Sequence, residues 1–200
     1  LPEKDKKFSD EYQLQGKFVA GYIGSHGLAH ALDTVIEAAE LLKADDNIRV
    51  VFVGGGADRS RLEKLVEMRC LSNVVMIPRQ PKDKMQKIWS LCDVSLVSLK
   101  DAPLFSTVIP SKIFESMAMS LPIVISVPEG EATEIVITEK AGLIVPSENS
   151  NKLAGAILKI KNDIELHSNL AVNSGLAASK FNRKILALGM LNHIEELMCP

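Results

Sequence analysis

The sequence predicts an α/β domain built on a doubly wound, six-stranded parallel sheet with carboxy-terminal helices. Three observations support this fold class. Short apolar runs rich in β-branched residues recur along the chain, segments with helical spacing separate them, and the pattern after Pro146 is helical. Continuous apolar runs are typical of strands buried on both faces. Parallel strands need long connections that return over the sheet, and the helical segments supply them.

Each element follows from its own stretch of sequence. The strands are predicted at residues 18–23, 48–53, 74–77, 94–99, 123–127 and 143–145. Leu32, Val35 and Ile36 show the helical spacing between the first two strands. The carboxy-terminal helices are predicted at residues 150–160, 164–178 and 183–198. Ligands of such sheets bind beyond the carboxyl ends of the strands, so the loops after the strands are the candidate site.

Composition excludes several classes of partner and setting. The chain has 23 basic and 25 acidic residues, which gives no field strong enough to favour nucleic acid or an acidic lipid surface. Cys70, Cys92 and Cys199 are too scattered for a zinc cluster and odd in number for a disulfide framework. No apolar run approaches the roughly 20 residues that span a bilayer. A cytoplasmic, reducing location is therefore predicted.

The termini suggest a domain cut from a longer protein. Residues 1–15 are polar, start without Met and are predicted as a linker from a missing amino-terminal domain. Residues 16–182 are predicted as one domain, because their length suits a single core. Residues 183–200 are predicted as a carboxy-terminal helix that packs toward the missing domain.

Two glycine-rich loops follow the first two predicted strands. Gly24, Ser25, His26 and Gly27 form the first, and its glycines allow backbone N–H groups to approach an anion near a helix N-terminus. The alternative is that these glycines only make the turn and that His26 is a surface residue. The second loop, centred on Gly55, repeats the arrangement, but it lacks the dinucleotide fingerprint G-x-G-x-x-G.

The segment 108–118 carries the most specific signal. Pro110 or Ser111 can begin a helix, which places Lys112 in the first turn, where a positive side chain opposes the helix dipole unless an anion is present. Glu115 lies about one turn later on the same face and can accept hydrogen bonds from both hydroxyls of a ribose. The alternative is a capping Ser111 and a surface pair of Lys112 with Glu115.

Five segments in order resemble the carboxy-terminal domain of glycosyltransferase family 4, a Rossmann-like half of the GT-B architecture. These segments are GYIGSHGLAHALDTVIEAAELL, VVFVGGGADRSRLEKLV, NVVMIPRQPKDKMQKIWSLCDVSLVSL, IPSKIFESMAMSLPIVISV and EATEIVITEKAGLIVP. HGLA with PSKIFE most resembles the branch that builds bacterial surface polysaccharides from UDP-linked N-acetylated amino sugars. The resemblance covers nearly the whole chain.

The resemblance implies a role for each matching residue. Glu115 matches the second glutamate of an E-x7-E motif and would bind the ribose. The segment Ile109–Pro110–Ser111–Lys112 and the loop Gly24–Gly27 would contact the diphosphate, with Gly55 beside them. Arg79 and Gln80 would lie in the loop that reads the base, followed by Lys84. Lys112 and Arg79 are the residues implied to stabilise the leaving diphosphate.

The sequence also departs from the family pattern. Thr107, preceded by Ser106, stands where the first glutamate of the motif is expected. Hydroxyls replace that carboxylate there, or the alignment slips by one residue. The basic residue expected in the first loop is also missing, and His26 is the nearest candidate.

The predicted function is donor binding in a retaining transfer of a sugar from a UDP-sugar, which is a co-substrate rather than a cofactor. No metal is predicted, because no carboxylate pair or histidine cluster is placed to hold one. The acceptor, a glycan or lipid-linked sugar at the inner face of the cell membrane, would be held by the missing domain. The alternatives are a non-catalytic nucleotide-binding module and a nucleotide-sugar epimerase of the same architecture.

Overall fold

The sheet of the computed structural model has the predicted architecture. The model describes residues 3–198, without the side chains of residues 183, 184, 186 and 196. The strands are β1 (Phe18–Ser25), β2 (Ile48–Gly55), β3 (Val74–Pro78), β4 (Val94–Ser98), β5 (Ile123–Ser126) and β6 (Gly142–Ile144). They form one sheet in the order β3-β2-β1-β4-β5-β6, and each neighbouring pair is parallel. The predicted six-stranded parallel sheet is thus confirmed.

Helices cover both faces of the sheet. They are α1 (Lys6–Glu11), α2 (Leu32–Leu41), α3 (Arg59–Met68), α4 (Met85–Trp89), α5 (Lys112–Ala118), α6 (Glu131–Thr138), α7 (Ser150–Asn162), α8 (Ile164–Ala178) and α9 (Arg183–Met198). Side chains of α2, α3 and α7 pack on one face, while α1, α4, α5 and α6 pack on the other. Successive strand residues point to opposite faces, and both faces of β1 are therefore buried, as at Val19 and Ala20.

The strand order places a crevice beside β1. Chain connections run outward from β1 to β2 and β3 on one side, and through β4, β5 and β6 on the other. At such a reversal of strand order, the loops that follow the two central strands diverge and leave room for a ligand at the carboxyl edge. The loops after β1, β2 and β4 meet at this edge.

Part of the predicted linker belongs to the packed domain. Helix α1 contributes the buried Phe8, and Leu14 after it is fully buried in the same cluster as strand residues of β1 and β2. Lys4 forms an ion pair with Asp93, whose carboxylate also accepts a 2.7 Å hydrogen bond from the N–H of Val19. The segment from residue 3 onward is therefore anchored to the sheet. A domain preceding it stays a prediction.

The carboxy-terminal region is helical, as predicted. Helices α7, α8 and α9 begin at the expected residues, and α7 runs two residues past the expected end. No described helix combines the length and the apolar character needed to cross a membrane. Of the three cysteines, Cys70 is exposed and Cys92 is buried, both as free thiols, and Cys199 lies outside the described residues.

We expect Gly54→Ala to destabilise the domain far more than Gly55→Ala. A Cβ at Gly54 would lie 1.9 Å from the carbonyl oxygen of Gly24, and the φ of +142° disfavours any L side chain, whereas nothing lies within 4 Å of a Cβ at Gly55. Overpacking and strain of this kind cost about 2 kcal/mol or more. Urea unfolding of both variants measures the difference. Equal losses would show that the two loops do not pack as closely as described.

Candidate active site

A cleft of about 730 Å³ opens at the carboxyl edge of the sheet. It lies between the loops after β1, β2 and β3 and the start of α5. Its walls combine backbone of the two glycine loops with basic side chains and a single acidic one among the described lining residues. The lining is Ile23, Gly24, Ser25, His30, Val53, Gly54, Gly55, Gly56, Arg79, Gln80, Lys82, Met85, Pro110, Ser111, Lys112 and Glu115.

Hydrogen bonds fix the first glycine loop from both sides. The hydroxyl of Tyr22 donates to the carbonyl of Ser25 at 2.8 Å. The N–H of His26 donates to the carbonyl of Gly55 at 2.9 Å, and the carbonyl of His26 accepts from the N–H of Asp58 at 3.0 Å. Because each of these bonds joins the loop to another part of the chain, its backbone is held in one conformation before any ligand arrives.

The second glycine loop fits under the first because it has no side chains. A Cβ at Gly56 would lie 2.4 Å from the carbonyl oxygen of His26, and the φ of Gly56 is +154°. Arg59 supports this loop from below, since its guanidinium donates to the carbonyl of Gly54 and, at 2.9 Å, to that of Ile77. Arg59 thereby ties the ends of β2 and β3 together.

Lys112 supplies a buried positive charge to the cleft. Only 8% of the residue is exposed, and its Nζ lies 4.0 Å from the centroid of the Tyr22 ring. Among the described residues, this ammonium has no hydrogen bond or ion pair. Burial lowers the pKa of Lys112 to about 8, although the negative charge of Glu115 raises it in part. An ammonium that has lost most of its water and has no carboxylate partner is a strong attractor for an anion.

Backbone hydrogen bonds join the first turn of α5 to the residues just before it. The N–H of Ile113 donates to the carbonyl of Pro110, and the N–H of Phe114 to that of Ser111. The hydroxyl of Ser111 donates to Oε1 of Glu115 at 3.2 Å. The side chain of Ser111 makes no capping bond to the helix backbone. Ser111 therefore pairs with Glu115 and does not cap the helix.

The loop after β3 forms the opposite wall. Arg79 is exposed there, and the side-chain amide of Gln80 donates to the carbonyl of Pro78 at 3.1 Å. Lys82 lines the cleft, whereas Lys84, two residues along the same 3-10 turn, does not. The wall therefore carries two exposed cationic side chains, Arg79 and Lys82, across from the buried ammonium of Lys112.

His26 lies in the interior instead of at the surface. The residue is fully buried, its ring lies about 6 Å from the rings of Tyr22 and Phe52, and neither ring nitrogen has a hydrogen-bond partner. Burial, together with the nearby charges of Arg59 and Lys112, lowers the pKa of His26 to about 4. His26 is consequently a neutral ring that supports the loop from behind.

The residues at the expected position of the first glutamate form a 3-10 turn, Pro103–Thr107. The hydroxyls of Ser106 and Thr107 donate to the carbonyls of Pro103 and Leu104 at 2.8 and 3.1 Å. Gly130 packs against the carbonyl of Ser106, since a Cβ there would lie only 2.0 Å from that oxygen. Both hydroxyls therefore keep only their acceptor lone pairs available.

The structure brings together most of the predicted site residues. Those that line the cleft are Gly24, Ser25, Gly55, Arg79, Gln80, Pro110, Ser111, Lys112 and Glu115. Those outside its lining are His26, Gly27, Lys84, Ser106, Thr107 and Ile109, of which Ile109 packs against the core. A role of these residues in binding stays a prediction.

Sequence reasoning missed five side chains of the cleft: Ile23, His30, Val53, Lys82 and Met85. His30 follows the first glycine loop in the same HGLAH segment, so its place in that segment was a usable signal. Burial lowers the pKa of His30 as well. No group of three or more His, Cys, Asp or Glu residues suited to a metal ion occurs within residues 3–198 as described.

We expect His26→Gln to remove part of the acid sensitivity of the fold. The unfolded histidine takes up a proton below about pH 6.5, but the folded ring does so only near pH 4, so stability is lost as pH falls through this window. The loss amounts to about 1 to 3 kcal/mol. Urea unfolding between pH 4 and 7 measures it. An unchanged profile in His26→Gln would contradict the neutral, buried ring.

Comparison with known proteins assigns the chain to a family of enzymes. Residues 3–175 match the family model "Glycosyl transferases group 1". The chain is 27% identical over 140 residues to the Pseudomonas aeruginosa protein "Probable glycosyltransferase WbjE", covering 70% of this chain and 34% of WbjE. Over 98 residues it is 34% identical to Escherichia coli K12 WcaI, which carries the name of a colanic acid biosynthesis glycosyl transferase, covering 49% of this chain and 24% of WcaI. The chain thus spans about a third or less of these two relatives.

A solved structure shares the fold. Anabaena HepE, in complex with UDP, matches 95% of this chain and 52% of HepE with a TM-score of 0.82 and 17% identity. At this identity the match shows the shared fold of a GT-B glycosyltransferase half. The family model covers most of the sequence, including both glycine loops and the start of α5, and the chain belongs to the group 1 glycosyl transferases.

Proposed function

We propose that the chain is the donor-binding domain of a retaining glycosyltransferase that moves a sugar from a UDP-sugar to an acceptor in surface polysaccharide synthesis. The observation that carries this proposal is the buried ammonium of Lys112, which faces the cleft without a carboxylate partner. A structural lysine would be expected to pair with an acid, because an unpaired buried charge is costly. A diphosphate in the cleft supplies the missing negative charge.

In this function the cleft stabilises the leaving group. During transfer, the bond between the anomeric carbon and the diphosphate oxygen breaks, and a bond to the acceptor oxygen forms on the same face of the sugar. The acceptor hydroxyl releases its proton to water, and the electron pair of the broken bond stays on the diphosphate of UDP as negative charge. The ammonium of Lys112 stabilises this negative charge, and Arg79 on the opposite wall adds a second positive group. Fixed charges of this kind are the main source of rate enhancement in such reactions.

The nucleoside occupies the part of the cleft between Glu115 and the loop after β3. The carboxylate of Glu115 lines the cleft next to Lys112, and its acceptor oxygens suit the two hydroxyls of a ribose. Backbone groups around Arg79 and Gln80 read the base in this arrangement. The presence of UDP in HepE, which shares the fold, supports uridine as the nucleoside.

The donor sugar lies toward the turn of Pro103–Thr107. The lone pairs of the Ser106 and Thr107 hydroxyls replace the carboxylate of the family motif in contacting it. An N-acetylated amino sugar fits the branch that HGLA and PSKIFE resemble, and the name of WcaI supports a polysaccharide product. Transfer without a metal ion remains part of the proposal.

The acceptor is held by a preceding domain in the full-length protein. The chain spans only 34% of WbjE and 24% of WcaI, and the rest of each relative provides room for such a domain. A lipid-linked acceptor would bring the whole protein to the cytoplasmic face of the membrane. The chain alone would bind the donor without catalysing transfer.

One observation favours a second function. Thr107 replaces the carboxylate, and its hydroxyl is already bonded to the carbonyl of Leu104. A domain that binds nucleotide sugars but has lost catalysis would show this change. Transfer assays on a protein that contains both domains distinguish the two functions, because the non-catalytic domain would bind UDP-sugar and give no product.

We expect Lys112→Met to raise stability while it lowers the affinity for UDP. The variant keeps the apolar stem but removes the desolvated charge, so the free energy of unfolding at pH 7 should rise by about 1 to 3 kcal/mol. Loss of a charge-assisted contact should lower the affinity for UDP about ten- to a hundredfold, while the affinity for uridine should change by less than about twofold. Calorimetry and urea unfolding measure both quantities. Lys64→Met, at an exposed lysine of α3, is the matched control and should change neither.

The pH dependence of UDP binding tests the same charge. The diphosphate favours the protonated amine, so the affinity should be constant from pH 7 to about 8 and fall as pH rises further, because free Lys112 then loses its proton. In Lys112→Met the affinity should not fall above pH 8. Equal losses of UDP and uridine affinity in Lys112→Met would remove this residue from the phosphate site.

We expect Glu115→Gln to weaken UDP about ten- to a hundredfold with little effect on folding, because the amide replaces one acceptor by a donor and removes the charge. If Glu115 is only an exposed partner of Lys112, affinity should not change and stability should fall by no more than about 1 kcal/mol. The affinities of the wild type and of Glu115→Gln for UDP and for 2′-deoxy-UDP form a cycle that isolates the contact between Glu115 and the 2′-hydroxyl. Strict additivity would show that Glu115 and the 2′-hydroxyl do not interact.

A further inference from the structure

The side chain of Tyr22 connects the two parts of the cleft that contribute to phosphate binding. The residue is fully buried in β1. The face of its ring lies 4.0 Å from Nζ of Lys112, and its hydroxyl donates to the carbonyl of Ser25 in the first glycine loop. Tyr22 does not line the cleft, so it acts on a ligand only through these two neighbours.

We propose that Tyr22 is a positioning residue for donor binding, which holds the Lys112 ammonium and the first glycine loop in the arrangement that receives the diphosphate. This inference rests on the proposed function. The face of an aromatic ring carries negative potential, so it attracts a desolvated ammonium without neutralising it. A carboxylate at the same place would satisfy Lys112 and compete with the ligand.

The geometry shows why the lysine needs such a support. Lys112 has four rotatable side-chain bonds, and Glu115 on the same helix is an alternative partner, because residues three apart on a helix are neighbours. Gly24 confines the ammonium on another side, since a Cβ at that glycine would lie 3.1 Å from Nζ. The ring of Tyr22 and the bare backbone of Gly24 together keep the ammonium over the cleft.

Other charged or titratable groups around Lys112 do not take over this role. His26 and His30 from the first loop have their pKa values lowered by burial, so both rings are neutral near pH 7. Burial raises the pKa of Tyr22, and the phenol therefore stays neutral too. Glu115 is the group whose charge acts on the pKa of Lys112. The π face of Tyr22 is thus the contact that holds the ammonium away from this carboxylate.

The first experiment measures UDP affinity in a cycle of Tyr22→Leu and Lys112→Met. When Lys112 is present, removing the ring should lower the affinity for UDP about three- to thirtyfold, which matches the range of cation–π interactions. In the Lys112→Met background, the same change should lower the affinity less than about twofold. Phe52→Leu is the matched control, because the Phe52 ring lies in the same core, 6.1 Å from that of Tyr22. Phe52→Leu should lower the stability of the fold, but its effect on UDP affinity should be the same with and without Lys112.

The pH profile separates positioning of the charge from general damage. In Tyr22→Leu, the pH at which UDP affinity begins to fall should move below that of the wild type, because the charged amine has lost its support. Tyr22→Phe keeps the ring and removes only the hydrogen bond to Ser25. Its profile of UDP affinity against pH should therefore keep the wild-type midpoint, and its UDP affinity should fall by less than about threefold. An unchanged midpoint in Tyr22→Leu would overturn the proposal.

A second series keeps the shape of the ring in case Tyr22→Leu does not fold. Phenylalanine and its meta-difluorinated analogue at position 22 differ little in size, but fluorine weakens the negative potential of the ring face. UDP should bind more weakly to the fluorinated protein only when Lys112 is present. Equal affinities would overturn the role of Tyr22. Failure of the wild type to bind UDP at all would instead overturn the proposed function.

Discussion

The cleft depends on one desolvated charge, the ammonium of Lys112, and on the packing that keeps it in place. Ile113 and Met117 anchor α5 in the core, so the helix cannot turn its lysine into solvent without exposing two buried apolar side chains. The ammonium therefore remains in an apolar environment, and this burial lowers its pKa to about 8 because the charged form is costly there. Binding of an anion offsets this cost. Under the proposed function, stability of the free domain and affinity for the diphosphate thus oppose each other at this residue.

The close contact between the two glycine loops is the second constraint, and it follows from the parallel pairing of β1 with β2. Gly24 and Gly54 are paired at the ends of β1 and β2, so both loops leave the sheet side by side. Gly54 and Gly56 then lie against the backbone of Gly24 and His26 at distances that no side chain permits. This contact fixes the loops before a ligand binds, which lowers the entropy that binding must overcome.

Features of the fold that depend on local sequence pattern could be predicted from the sequence. Features that depend on tertiary packing could not. The strands follow from β-branched runs, and Lys112 stands out because a lysine at a helix start opposes the dipole. The burial of His26 could not be predicted, because it depends on how the loop folds back over Phe52. That Lys82 lines the cleft and the predicted Lys84 does not has a similar cause, since the 3-10 turn decides which of the two lysines faces the cleft. Helix α1, with six residues, is too short for helical periodicity to show.

The two ends of the cleft are built in different ways, and this difference bears on specificity. At the end proposed to bind phosphate, Lys112 and His26 are buried, and hydrogen bonds hold the first glycine loop in place. At the turn of Pro103–Thr107, the hydroxyls of Ser106 and Thr107 are engaged with their own backbone, and Leu104 and Thr107 are exposed. Neutral acceptors on an exposed turn discriminate weakly among ligands, because water competes for them. Under the proposed function, the turn would therefore contribute little to the choice of sugar, and the nucleotide would contribute most of the binding energy.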